Sequence, residues 1–334
     1  MIISRTPLRM SFAGGGSDVK AFYAEFGGAV VSTTVDKYIY VSINKKFDGG
    51  IRIAYSKTEE VNSVREIEHR LVRATFDYFD CPGGVEITTI ADIPSRGTGL
   101  GSSSSFAVGL INALAAYLGR YVSNEELGRT SCHIEIERCG EPIGKQDQYA
   151  AAYGGLNLIE FMPDDNVVVS PIVMPVKARM QFERSVIVFY TGITRNASEI
   201  LKGQFEEVGR DRAKQRALER MVKLAFLLRE ELQKANLDAV GDILHENWML
   251  KKSLSAAVSN TRIDEWYEIA RSRGAVGGKL LGAGSGGFLM FYAPEDRHGE
   301  IAEGLSSLRR VHFGFEPLGS RIIFYNPTVD RNHG

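Results

Sequence analysis

A chain of 334 residues, 44% apolar and 24% charged, is long enough for one large domain or two ordinary ones and excludes a disordered protein. Forty basic residues nearly cancel 41 acidic ones, leaving a formal charge of -1, so composition makes no case for nucleic acid or membrane as a partner. The N-terminus MIISRTPLRM shows no secretory signal, and no segment reaches the roughly 20 apolar residues of a membrane span. Three cysteines without CxxC spacing, Cys81, Cys132 and Cys139, suit a reduced, cytoplasmic setting.

In chain order, apolar runs predict strands over Pro7–Phe12, Val30–Val35, Tyr38–Asn44, Ile51–Tyr55 and Val85–Ile90. Helical spacing of Val64, Ile67, Leu71, Val72, Phe76 and Phe79 predicts a helix over Ser63–Phe79. A further helix runs from Ser102 to Leu118. Ser123 and Glu126 have the spacing of a capping box and start a helix reaching about Arg138. A strand-rich stretch follows from Leu156 to Val176, and Val186–Tyr190 opens a second module. The region Asn196–Arg273 is mainly helical; a strand Phe288–Tyr292, a helix near Pro294–Leu308 and a strand Arg321–Tyr325 close the chain. No internal repeat or low-complexity linker interrupts this order.

Glycine stands out, at 35 of 334 residues against an average of about 7%. It clusters at Ala13–Gly16, Gly97–Gly101 and Gly277–Gly287. The middle cluster reads Pro94-Ser-Arg-Gly97-Thr-Gly99-Leu100-Gly101-Ser102-Ser103-Ser104-Ser105 and leads directly into an apolar helix. Helix N-termini expose unpaired amides and the positive end of the helix dipole, which suits phosphate, and serines there suit Mg²⁺. This is not a Walker A loop, because no Gly-Lys-Ser/Thr is present and Gly278-Lys279 precedes a leucine. The third cluster has GxGxxG spacing but lies late in the chain and precedes a strand, which argues against a dinucleotide fold. A glycine turn closing on nucleotide or substrate is the better reading, with Gly284 at its centre. In the first cluster Asp18 can accept hydrogen bonds from sugar hydroxyls or cap a helix Lys20–Phe26, and Arg9 can face phosphate.

The three clusters, in this order and with these flanks, resemble those of the GHMP kinase superfamily, whose phosphate loop Pro94–Ser103 matches. The resemblance covers nearly the whole chain. It implies an α+β, two-domain fold: residues 1–175 like ribosomal protein S5 domain 2, and a ferredoxin-like domain over residues 176–334. It also implies transfer of the γ-phosphoryl group of ATP to a hydroxyl, with Mg²⁺. On that basis Pro94, Gly97, Gly99, Leu100, Gly101, Ser102, Ser103 and Ser104 hold the nucleotide, and Ser103 with Glu135 holds Mg²⁺. Asp147, in Gly144-Lys145-Gln146-Asp147-Gln148, is the general base, and Arg9 lies close to the reacting groups. Asp18, with Gly15, Gly16 and Ser17, faces the sugar. Gly15 and Gly16 stand where galactokinases have Glu and His, which argues against galactose. Taken without the resemblance, Glu135 can be a solvated helix residue and Asp147 a helix cap.

Five segments together resemble the heptose 7-phosphate kinases of this superfamily: Arg5–Asp18, Ser32–Tyr38, Gly144–Ala150, Thr191–Arg195 and Gly277–Gly284. The resemblance implies a small-molecule partner phosphorylated at its anomeric O1 on the way to nucleotide-activated heptose. Lys145 and Arg195, with Lys279 a third, are the cations that a 7-phosphate would need. L-Fucose is the alternative acceptor, and an ATP and sugar sensor without catalysis is the alternative from another class. Apolar stripes on the long helices read as core, and a homodimer is left open.

Overall fold

The computed structural model describes residues 1–93, 97–193 and 211–327. Its first half is built on β1 (Ile2–Ala13) and the 18-residue β2 (Gly28–Lys45), joined through α1 (Lys20–Phe26). The two strands expected at 30–35 and 38–44 are one. Asp36 and Lys37 bulge out where β1 shifts register between Pro7 and Leu8. Proline has no amide to give the ladder, so the interruption falls at a position that tolerates it.

β3 (Ile51–Ala54), β4 (Thr58–Val61), α2 (Arg70–Phe79) and β5 (Val85–Ala91) follow. The helix expected from Ser63 begins only at Arg70. The Glu59 carboxylate accepts from the Glu68 and His69 amides, and Glu66 accepts from the Asn62 amide. These donors are satisfied outside a helix, and the apolar period alone could not reveal that.

α3 (Ser102–Tyr117) is almost wholly buried against β1 and β2. α4 (Asn124–Cys132) carries the expected capping box and continues as a π-helical segment, His133–Arg138. α5 (Gln146–Tyr153), which no periodicity announced, packs beside α3 and α4 and leads to β6 (Leu156–Phe161) and β7 (Val167–Pro171).

Through α6 (Val176–Arg184) the chain enters β8 (Val186–Tyr190). Then come α7 (Arg212–Gln233), α8 (Asp238–Leu254), α9 (Thr261–Ser272), β9 (Gly277–Leu280), β10 (Phe288–Tyr292), α10 (His298–Gly304) and β11 (Arg309–Val311). The second sheet is antiparallel in the order β11-β8-β10-β9. With helices on both crossovers this is the ferredoxin-like arrangement.

β12 (Phe315–Glu316) and β13 (Arg321–Tyr325) leave that sheet and pair with β2 and β1. The described strands of the first sheet run β13-β1-β2-β5-β3-β4, with β6 also on β2. A cut at residue 175 therefore gives the second domain two strands that pair in the first. Phe182 of α6 sits between the sheets, 5.0 Å from Phe12, 5.6 Å from Phe315 and 6.0 Å from Tyr292 by ring centroids. Among the described residues no helix is long and apolar enough to cross a membrane.

Candidate active site

The three glycine clusters meet. A cleft between the sheets is lined by Arg9, Ser11, Gly15, Gly16 and Asp18 from the end of β1 and the turn after it. Gly97, Thr98, Gly99, Gly101 and Ser102–Ser104 line it from the start of α3, and Gly282, Ala283 and Gly284 from the loop after β9. Glu135, Gly144, Gln146, Asp147 and Lys251 also line it. Contact between loops this close requires glycine: a Cβ on Gly99 would stand 2.3 Å from the Leu281 carbonyl, and one on Gly282 would stand 2.4 Å from the Gly99 Cα.

At the centre is an ion pair. Arg9 Nε donates to Asp147 Oδ1 at 2.7 Å and its Nη2 to Oδ2 at 2.9 Å, while Nη1 donates to the Gly99 carbonyl at 2.7 Å. The fork thus ties α5 to the phosphate-type loop. The Arg9 amide also donates to the Leu100 carbonyl at 3.0 Å, so the strand and the loop are joined by backbone as well. Gly101, with φ +72°, caps α3 in the left-handed region. Its missing Cβ leaves room for the Arg9–Asp147 pair, whose nearest atoms would lie 3.1–3.3 Å away.

Asp18 lies across from this pair. It does not cap α1: the capping position is Val19, with no side-chain bond. Instead its carboxylate accepts from the Gly16 amide at 3.1 Å and the Gln146 amide at 3.2 Å, stapling the first glycine turn to α5. Burial first, and the Asp147 charge second, push its pKa above the usual carboxylate range. A Cβ on Gly144 would stand 1.9 Å from Asp18 Oδ2, so this staple closes only over glycine.

Glu135 is turned inward by the π-helical segment and is 2% exposed. Gln148 Nε2 donates to its Oε2 at 2.7 Å, and the Ser103 hydroxyl lies 3.4 Å from its Oε1. Burial pushes its pKa up to about 7, against the bonds it accepts. A hydroxyl beside a carboxylate at a helix N-terminus is an oxygen donor set suited to Mg²⁺ shared with phosphate oxygens. Among the described residues no group of three or more His, Cys, Asp or Glu forms a metal cage.

Some expected site residues lie elsewhere. The Ser17 hydroxyl is turned inward, donating to the Gly14 carbonyl at 2.8 Å and accepting from the Ala29 amide at 3.1 Å, so it braces β2 rather than facing the cleft. Lys145 points to a second cavity on the far side of Asp18, where its Nζ pairs with Asp165 Oδ1 at 2.8 Å. The Leu100 side chain is in the core and only its backbone serves the loop. Pro94 and Arg195 lie outside the described residues.

Sequence reasoning missed Ser11, Gln146 and Lys251, all in the wall. For Lys251 a signal existed: it interrupts the apolar stripe Leu244, Trp248, Leu254 of α8.

Two family models match: the GHMP kinases N terminal domain over residues 63–155 and the GHMP kinases C terminal domain over residues 228–309. The D-glycero-alpha-D-manno-heptose 7-phosphate kinase of Campylobacter jejuni is 32% identical over 306 residues, covering 87% of this chain and 89% of that protein. The bifunctional fucokinase/GDP-fucose pyrophosphorylase of Arabidopsis thaliana is 28% identical over 86% of this chain but 29% of its own length. The crystal structure of a D-glycero-D-manno-heptose 1-phosphate kinase from Bacteroides thetaiotaomicron superposes with a TM-score of 0.80 at 28% identity, covering 98% of this chain and 100% of that one. With both family domains present in order around one glycine-walled cleft, the chain belongs to the GHMP kinases and is a sugar kinase, a phosphotransferase with an alcohol group as acceptor.

Proposed function

We propose that the chain transfers the γ-phosphoryl group of ATP to the anomeric O1 of D-glycero-D-manno-heptose 7-phosphate, giving the 1,7-bisphosphate and ADP. The observation that carries this reading is the Arg9–Asp147 fork set beside the N-terminus of α3. Asp147 accepts the O1 proton as the O1–phosphorus bond forms and the bond to the ADP oxygen breaks. The Arg9 fork occupies one lone-pair site on each carboxylate oxygen, and a carboxylate has about four, so acceptor capacity remains. Held in this way, the carboxylate stays oriented toward the acceptor side, and positioning is most of what phosphoryl transfer asks of a protein.

The nucleotide phosphates lie against Gly97, Gly99, Gly101 and the first-turn amides of Ser102, Ser103 and Ser104, with Gly284 closing from the opposite loop. Ser103 and Glu135 hold Mg²⁺, which when bound neutralises charge on the phosphates. Asp18, Gly15 and Gly16 face the sugar. Gln146, whose buried Oε1 has no partner among the described residues, accepts from one of its hydroxyls. We place the domain division near residue 175 and the enzyme in the cytoplasm, supplying nucleotide-activated heptose for surface glycans. The identity to the heptose 7-phosphate kinase supports the acceptor; the similarity to fucokinase portions keeps L-fucose as the second reading.

ADP release with Mg-ATP over heptose 7-phosphate, the unphosphorylated heptose, L-fucose, D-galactose and mevalonate tests this. Turnover of the heptose phosphate is expected, with Asp147→Asn lowering kcat by about 10²–10⁴-fold. Turnover of fucose in its place would overturn the acceptor and keep the chemistry. ATP binding without turnover on any sugar would favour a sensor.

A further inference from the structure

Two lysines near the acceptor side of the cleft are buried without a counter-ion. Lys251, on α8, is 7% exposed and lines the cleft; its Nζ donates to the Gly282 carbonyl at 2.5 Å. Lys279, on β9, is fully buried, with the Ser11 hydroxyl 3.4 Å from its Nζ. Among the described residues neither has a carboxylate within ion-pair distance, whereas Arg9 takes both oxygens of Asp147. Burial, and then the Arg9 charge, holds Lys251 down at about 8, and burial with the Lys251 and Arg9 charges holds Lys279 well below the usual lysine range.

Buried charges in proteins are paired or coordinate a ligand, because leaving water unpaired is costly. Lys251 feels the Asp18 and Asp147 charges, but Arg9 already holds Asp147 and the Gly16 and Gln146 amides hold Asp18, so Arg9, Lys251 and Lys279 together still leave room for an anion. Their placement indicates which one. Asn247, one turn before Lys251, accepts from the Gly14 amide at 3.0 Å, and Leu254, nearly one turn after it, packs with Val19 and Phe22. This face of α8 lies against the first glycine turn, on the side of Asp18. Ser11, which meets Lys279, is on β1 just before the same turn. Lys145 is not available for this task, since Asp165 neutralises it in the other cavity.

We propose that Lys251, backed by the field of Lys279, binds the phosphate that the acceptor sugar already carries and thereby selects a phosphorylated acceptor. The inference rests on the heptose 7-phosphate reading and adds the group that enforces it.

The test is the ratio of kcat/KM for heptose 7-phosphate to that for the same heptose without phosphate, in wild type, Lys251→Met and Lys251→Arg. Both sugars are assayed on one preparation, so a loss of folded enzyme cancels in the ratio. Removing one charge-assisted contact to phosphate is expected to lower the ratio by about 10- to 100-fold in Lys251→Met. The loss should come through the KM of the phosphosugar, with the KM of ATP moving less, and Lys251→Arg should recover part of it. An unchanged ratio in Lys251→Met overturns the inference and leaves the substrate assignment standing. A KM for ATP that rises alike with either sugar also overturns it, and assigns Lys251 to the nucleotide phosphates. A wild type that prefers an unphosphorylated sugar removes both readings.

Discussion

Glu135 is a carboxyl group that the fold takes out of water, among the Gln148 amide and the hydroxyls of Ser103 and Ser104. Its folded pKa, about 7, lies above the unfolded value of about 4.3. The unfolded chain therefore gives up this proton first, and the contribution of Glu135 to stability falls as pH rises from about 4.3 to 7. Glu135→Gln, which keeps the shape and loses the ionisation, should be favoured over wild type by about 3 kcal/mol more at pH 8 than at pH 4.5. Urea melts of both proteins in the absence of divalent ions measure this, and a stability difference that stays constant with pH would refute it. The residue was singled out by the family resemblance, through its spacing to Asp147, and not by its own surroundings in the sequence. That it would be buried was not legible, because the turn inward depends on a π-helical segment that no local pattern signals.

At the scale of elements, local rules worked where the chain could satisfy itself locally. Ser123 Oγ accepts from the Glu126 amide at 3.2 Å, and Glu126 Oε2 accepts from the Ser123 amide at 3.0 Å, as the spacing predicts for the start of α4. Ser123→Ala should cost about 1 kcal/mol in chemical denaturation, and a change near zero would mean that tertiary packing alone holds this end. Local rules failed at α2 and α5. The Glu59 carboxylate takes the Glu68 and His69 amides that a helix from Ser63 would otherwise use. α5 is alanine-rich and buried over most of its length, so it has no polar face to mark its period. This missed helix carries Asp147 and Gln146, and it is the element that brings the fork to the phosphate loop.

For the molecule as a whole, the cleft depends on how the two sheets are held. Phe182 bridges Phe12 and Phe315 of the first sheet to Tyr292 of the second. Truncating a buried phenylalanine costs about 3–5 kcal/mol, so Phe182→Ala should lower the unfolding free energy by that order in thermal or urea melts. A loss below 1 kcal/mol would show that the sheets are joined elsewhere. The closing strands β12 and β13 add a second tie by pairing with β2 and β1. Strand patterns alone could not show that, since an apolar run does not name its partner.

From its residues alone the chain declares the glycine clusters, the helix that leaves the middle one and the capping box. Each is encoded between near neighbours, where hydrogen bonding and backbone freedom act over a few residues. The tertiary structure alone decided that Asp18 staples rather than caps, that Ser17 and Lys145 turn from the cleft, and that Lys251 and Lys279 are buried with no carboxylate among the described residues within ion-pair distance. Those outcomes depend on which distant groups share a desolvated space, and a charge has no preferred burial until packing provides the neighbours that stabilise it or leave it for a ligand.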